Sequence, residues 1–462
     1  MDHILYIDTW AVGNVFHQFG ESLKRSLAGI GVSLHTVNAL SETYAADMTQ
    51  ALNARNYEFA FSYLGVGKGS ASGAVSLWDA AKLPFITIYG DSPSYFYDQH
   101  FDYGTWCVSL YVFEEHLKLR QMFSILRGFQ GMVPTLPYRP VIEGTIDWKA
   151  KEQGKIVFLK NGNDPQKLRE FWQRSLNPHV SAALMEISTA MAAHLDQCSH
   201  GEIVDRVLDF LKSAGLHDGA EKLMLLMTAQ LDDYLRRVKS ALVANILLDY
   251  PVEVHGVNWE HIDTAGRQGS LIMESDYVKS ETLIRNALAT FDMSPNTVAG
   301  VHDRLSRAAG HQTLCVTNSG QGLEQHFSNT GLWSYGFSEE SLRERIEWML
   351  GHRRDVIELG AAFAREFDTA YSIDQAYAQL KRMAGFVRQN NSTDEIDDAP
   401  PYFMWPPTAF VKSQAHRPVF IEEIQHWENR LSALEASVAQ APDPAASSVG
   451  KAGILRRMLA GR

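Results

Sequence analysis

Short apolar runs closed by glycine, asparagine or aspartate alternate along the chain with longer stretches whose apolar positions recur at helical spacing. This is the pattern of parallel strands buried beneath helices. Ile4 to Asp8 predicts a first strand, Gly13 to Phe16 a loop, and FHQFGESLKRSLAGIG a helix stopped by Gly29 and Gly31. Ser33 to Val37, Phe59 to Leu64 and Phe85 to Tyr89 predict further strands of a doubly wound unit that ends near residue 145. A second unit starts at Lys155, where KIVFLKNGNDP reads as strand, loop and helix start. From about Leu168 to Leu248 the period is helical, and strand patterns return at Val252 to His255, Leu271 to Met273, Ala289 to Met293 and Leu314 to Val316.

The pattern predicts an α/β protein of two Rossmann-like domains, residues 1–148 and 149–390, with a helical insertion at about 168–248. Residues 391–462 read as an acidic, proline-closed linker (QNNSTDEIDDAPPYFMWPP), helical stretches and a short basic end, with a homo-oligomer contact through this tail as one expectation. A length of 462 residues agrees with two domains, because single cores stop growing at roughly 250–300 residues.

Charge narrows the function classes. A formal net charge of −12 disfavours a nucleic-acid partner, which needs a surplus of Lys and Arg on one face. Cys107, Cys198 and Cys315 are far apart and form no CxxC pair, so neither a disulfide framework nor a thiolate zinc site is indicated and a reducing cytoplasm fits. No stretch approaches the ~20 apolar residues of a membrane span.

In open parallel sheets ligands bind beyond the carboxyl ends of the strands. Four loops therefore hold the candidate chemistry. Gly13 and Asn14 precede a helix whose first turn carries His17, a place for backbone N–H groups to meet a phosphate or an ordinary turn. Asp91, after the apolar strand PFITIY, is a candidate general base or the cap of an Asx turn, and His100 is the alternative base. Lys160, Asn161 and Gly162 stand at a helix mouth suited to a diphosphate, although the GxxxxGK[ST] spacing is absent. Pro295, Asn296, Gly300, His302 and Arg304 follow a strand of the second unit, with His255, Gly256 and Asn258 in a neighbouring loop, and can hold phosphates and ribose.

Four elements together resemble bacterial glycosyltransferases of the spore-maturation type, which are similar to flagellin and surface-glycan transferases of GT-B architecture. They are the D-x-P of Asp91 to Pro93, KNGNDP, the V-x-x-x-G of Val252 and Gly256, and LIRNALATFDMSPNTVAGVHDR, Leu283 to Arg304. The likeness runs from the first strand to about residue 385. It implies two domains facing a cleft and sugar transfer from a nucleotide donor, with a UDP-sugar favoured, to a protein or glycan acceptor. On this resemblance His255, Gly256, Pro295, Gly300, His302 and Arg304 fall on the donor side and Asp91 faces the acceptor. It implies neither metal nor bound cofactor. Arg307 departs from the pattern, standing where such chains carry an acidic residue for the ribose hydroxyls, and the absence of two glutamates on that helix leans towards inversion. A non-catalytic scaffold or a sugar-nucleotide epimerase are the alternatives.

Overall fold

The computed structural model describes residues 2–391 apart from 10–14, 55, 73–74, 96, 101–103, 123–127, 143, 217–219, 275, 299 and 319; the tail from 392 onward, with its expected oligomer contact, lies outside the described residues. Two six-stranded parallel sheets organise the chain, each covered by helices. The first contains β1 (His3–Asp8), β2 (Ser33–Asn38), β3 (Phe59–Tyr63), β6 (Phe85–Tyr89), β7 (Cys107–Tyr111) and β8 (Phe129–Met132), in the order β2-β1-β3-β6-β7-β8. A small antiparallel hairpin, β4 (Ala71–Ser72) and β5 (Val75–Ser76), leads into the helix before β6. The inner strands Phe85–Tyr89 and Cys107–Tyr111 are fully buried, because helices close both faces, whereas the edge strands Ser33–Asn38 and Phe129–Met132 are mostly half-buried.

The second sheet contains β9 (Ile156–Leu159), β10 (Glu253–His255), β11 (Ser270–Ile272), β12 (Ala289–Phe291), β13 (Leu314–Asn318) and β14 (Ser334–Tyr335), in the order β11-β10-β9-β12-β13-β14. Written by position in that sheet, the order is 3-2-1-4-5-6, that of a dinucleotide-binding Rossmann sheet. Its direction of winding reverses between β9 and β12, which leaves a crevice at their carboxyl ends. The α/β class and the two Rossmann-like units are therefore those the hydrophobic pattern predicts. The pattern alone passes over β7, β8, β14 and the hairpin. In β7 the apolar run continues as CVSLYVF straight towards the helix Glu114–Gln121, with no turn residue to mark its end.

Between β9 and β10 the chain is helical, as expected, and residues 164–239 form a compact unit of their own. Three of its helices begin at side-chain caps: Asp164 accepts from Gln166 N, Asn177 from His179 N and Ser199 from Glu202 N. Trp172 is fully buried and donates to Gln230 Oε1 at 2.8 Å. Among the described residues no helix is long and apolar enough to cross a membrane.

The two sheets are joined twice. The segment after β8 runs along the second half, where Tyr138 Oη and the Ile142 N–H donate to the buried Glu281 carboxylate, and Ser306 Oγ donates to Leu136 O at 2.8 Å. The helix Ile373–Asn391 then returns to the first sheet. Tyr377, Leu380, Ala384 and Val387 join that core, while Tyr377 Oη donates to Asp2 Oδ2 at 2.6 Å. The last described helix of the stretch 149–390 thus packs with the first unit, because its apolar face completes the cover of β6 and β7.

Candidate functional site

A cavity of about 320 Å³ opens at the β9/β12 crevice. Strand ends and the helices after them supply its walls: Leu159, Lys160 and Asn161 follow β9, His255 ends β10, Glu274 and Asp276 follow β11, and His302, Asp303, Arg304 and Arg307 belong to the helix Asp303–Gly310 and its cap. Tyr277, Ser280 and Leu283 come from the helix Tyr277–Asn286, and Val15, at the start of the helix Val15–Ala28, adds a wall from the first half. The volume lies at the small end of the usual range for ligand pockets.

The structure brings five of the sequence-derived candidates, Lys160, Asn161, His255, His302 and Arg304, to this one cavity. Gly162, Gly256 and Asn258 lie beside it in a seam between two loops. Lys160 N donates to His255 O and Gly162 N to Val257 O, both at 2.9 Å, and Asn161 Oδ1 accepts from Val257 N at 3.1 Å. A Cβ on Gly256, whose φ is +154°, would sit 2.0 Å from Lys160 O, and one on Gly162 would sit 2.2 Å from the Trp259 ring. Close approach of the two loops, with Trp259 Nε1 donating to Lys160 O at 2.8 Å, therefore demands both glycines. Asn258 takes a left-handed backbone, φ +66°, and donates to Asn163 Oδ1.

Pro295, Asn296 and Gly300 do not line the cavity. Their loop packs on the first half instead: Val298 N donates to Glu115 Oε1 at 2.7 Å, and a Cβ on Gly300, at φ +105°, would meet Val112 O at 2.7 Å. Gly13 and Asn14 lie outside the described residues.

Two of these candidates, His302 and Arg304, belong to a charged cluster around Asp292, a residue the sequence reading does not single out. Asp292, directly after β12, is completely buried; its Oδ1 accepts from Arg304 Nη1 at 2.8 Å and its Oδ2 from Thr317 Oγ1 at 3.1 Å. His302 Nδ1 lies 3.6 Å from the same carboxylate, and its Nε2 lies 3.0 Å from Asp303 Oδ1. Burial alone raises the Asp292 pKa, but the positive charges of His302 and Arg304 outweigh it and hold the carboxyl well below its usual range. Asp303 is likewise raised by burial, yet His302 brings it down to about 2. Burial opposes charge on His302, while Asp303 and Asp292 overcome it and raise its pKa. Arg304 is thus tied to an internal anion. The one local signal was an aspartate at the end of an apolar run; the reversal of sheet order that makes it matter is visible only in the fold.

In the first half, Asp91 is half-buried just beyond β6, in a turn where Ser92 Oγ accepts from Ser94 N at 3.2 Å. His100 is 1% exposed, stacks on Tyr89 at 4.0 Å between centroids, and shares a 2.9 Å hydrogen bond with Tyr111 Oη through Nδ1. Burial, then the charges of Lys68 and Arg120, push its pKa well below the usual imidazole value. Neither residue lines the cavity. A second pair that the sequence does not announce stands at the end of β1. The buried Asp8 accepts from Thr9 N at 2.7 Å through Oδ1 and meets His17 Nδ1 at 3.1 Å through Oδ2. His17 lies in the first turn of the helix that starts at the cavity-lining Val15.

No protein-family model and no curated protein matches the chain. Among solved structures the chain is similar to the sucrose-phosphate synthase of Thermosynechococcus elongatus, with 9% identity over 85% of this chain and 100% of that one and a TM-score of 0.45. An alpha-glucosyltransferase in complex with UDP-glucose and DNA containing an abasic site gives 9% identity, 83% and 99% coverage and a TM-score of 0.47. A glycosyltransferase from Rickettsia africae ESF-5 gives 10% identity, 84% and 99% coverage and a TM-score of 0.37.

Proposed function

We propose that the chain is a metal-independent glycosyltransferase of the spore-maturation type, moving a sugar with inversion from a nucleotide donor, UDP-linked in the first instance, to a hydroxyl of a protein or surface glycan in the cytoplasm. The observation that carries this reading is the cavity at the β9/β12 reversal, where Lys160, Asn161, His255, His302 and Arg304 converge on the carboxyl ends of a Rossmann-ordered sheet. In this reading the acceptor oxygen attacks the anomeric carbon as the bond to the nucleotide diphosphate breaks. Lys160 and the N-terminal N–H groups of the helix Asp303–Gly310 stabilise the departing charge.

The acceptor proton goes to Asp91 or to His17. His17 Nδ1 lies 3.1 Å from the Asp8 carboxylate, the arrangement by which a carboxylate orients a histidine base. His100, packed between aromatic rings, holds its loop and meets no acceptor in this reading.

UDP-, GDP-, CMP- and dTDP-linked donors, screened for thermal stabilisation and for hydrolysis, test the proposal; one nucleotide class is expected to raise the melting temperature and lose its sugar. Stabilisation by none of them would sink it. Asp91→Asn and His17→Gln then identify the base, which is the residue whose loss lowers transfer by ~10²-fold or more while donor affinity is retained.

A further inference from the structure

Arg307, a cation of the cavity wall, has no carboxylate within ion-pair distance among the described residues. Arg307 is 3% exposed, and its guanidinium carbon lies 3.9 Å from the centroid of the Tyr277 ring, over which it is held. Nη2 donates to Ser280 Oγ at 2.6 Å, whereas Nε is buried and has no acceptor among the described residues. The nearby carboxylates make their direct contacts with other groups: Asp292 with Arg304, Asp303 with His302, Glu274 with Lys279, Asp276 with the Val278 and Lys279 N–H groups, and Glu281 with Tyr138 and the Ile142 N–H; Asp303 feels the Arg307 charge without pairing with it. A guanidinium carries five N–H donors and does not lose its proton in a protein. Burying it against the Tyr277 face, the more distant Tyr138 ring at 5.8 Å and one hydroxyl leaves N–H donors unmet, which is unfavourable unless an anion completes the site.

We propose that Arg307 is the anion receptor of this cavity, presenting two N–H groups to a pair of anionic oxygens on the ligand. On the donor-site reading, those oxygens belong either to a phosphate of the nucleotide or to the carboxylate of an acidic sugar. Both present the planar or tripodal oxygen pair that a guanidinium fork matches and a lysine ammonium does not.

The decisive comparison is calorimetric binding of uridine, UDP, UDP-glucose, UDP-glucuronate and inorganic pyrophosphate to the wild type, Arg307→Lys and Arg307→Gln. If the anion is a phosphate, Arg307→Lys weakens UDP and pyrophosphate at least tenfold and leaves uridine unchanged. If it is a sugar carboxylate, only UDP-glucuronate weakens by that factor. Equal affinities for all five probes in folded variants overturn the assignment, as does an equal loss for uridine and UDP. Should the variants fail to fold, modification of wild-type arginines by a dicarbonyl reagent, mapped by peptide mass, replaces them: UDP or UDP-glucuronate is expected to shield Arg307, and shielding by neither overturns the proposal. The two readings fail separately. Pyrophosphate binding that depends on Arg307, without sugar release from any donor, removes the transferase and keeps the receptor; transfer that is indifferent to Arg307 does the reverse.

Discussion

At the scale of single residues the site is governed by compensation of buried charge. Asp292 has no exposure to solvent and survives as an anion because Arg304, His302 and Thr317 surround it. Removing one member of such a group leaves an uncompensated charge, so Asp292→Asn is expected to destabilise the protein by about 3 kcal/mol near pH 5.5. The pH dependence follows from the directions of the shifts. Asp292 and Asp303 have folded pKa values below the ordinary aspartate value of 3.8, so their contribution is present above that value and is lost as pH falls towards 2. His302 is raised above 6.5, so its contribution is complete below 6.5 and is lost as pH rises through the raised value. Melting curves of wild type and Asp292→Asn should therefore lie furthest apart between about pH 4 and 6.5 and converge on the acid side. A separation that does not vary with pH would mean the aspartate acts only by shape. None of this was legible in the letters FDMSPN, since the value of that aspartate depends on a histidine and an arginine brought under it by the turn into the next helix.

At the scale of elements, caps and glycines place the site. Asp276 accepts from Val278 N at 2.9 Å and from Lys279 N at 3.1 Å, starting the helix whose Tyr277, Ser280 and Leu283 form one wall of the cavity. Ser338 does the same for the helix Glu339–Gly351, accepting from Ser341 N, and does not line the cavity. Either cap replaced by alanine should lower stability by roughly 1 kcal/mol. Only Asp276→Ala is expected also to weaken nucleotide binding, because fraying of its first turn moves the wall; a titration of both variants with the stabilising nucleotide decides this, and equal affinities would show that the wall is held by packing alone. The strand ends that carry Lys160 and His255 could be read from sequence, because an apolar run meeting a polar or glycine residue is a local signal, whereas Asp292 falls inside the strand predicted to Met293 and stands beyond the observed end at Phe291. The partners of those ends could not. The Asp8–His17 pair joins a strand to the following helix, and the seam of Gly162 against Trp259 joins loops that lie on either side of the helical unit 164–239 in the chain.

For the whole molecule, the order of the sheets and the return of the last helix matter most. Parallel character follows from alternating apolar and amphipathic segments, whereas the order 3-2-1-4-5-6 that creates the crevice is a property of how crossovers wind, and no residue encodes it locally. The return of Ile373–Asn391 to the first core is equally non-local, since its apolar stripe at Tyr377, Leu380, Ala384 and Val387 would suit either sheet by pattern alone. That crossing makes the first half depend on residues far along the chain. Ala384 has no exposed surface, so Ala384→Asp forces a carboxylate into the layer covering β6 and β7. Hydrogen exchange followed by mass spectrometry should show lost protection at Phe85–Tyr89 and Cys107–Tyr111, with Ile156–Leu159 and Ala289–Phe291 much less affected, as expected when the lesion sits in one core of two. Uniform loss across both sheets would instead show that the connecting segment, clamped by Glu281, makes the halves unfold as one cooperative body.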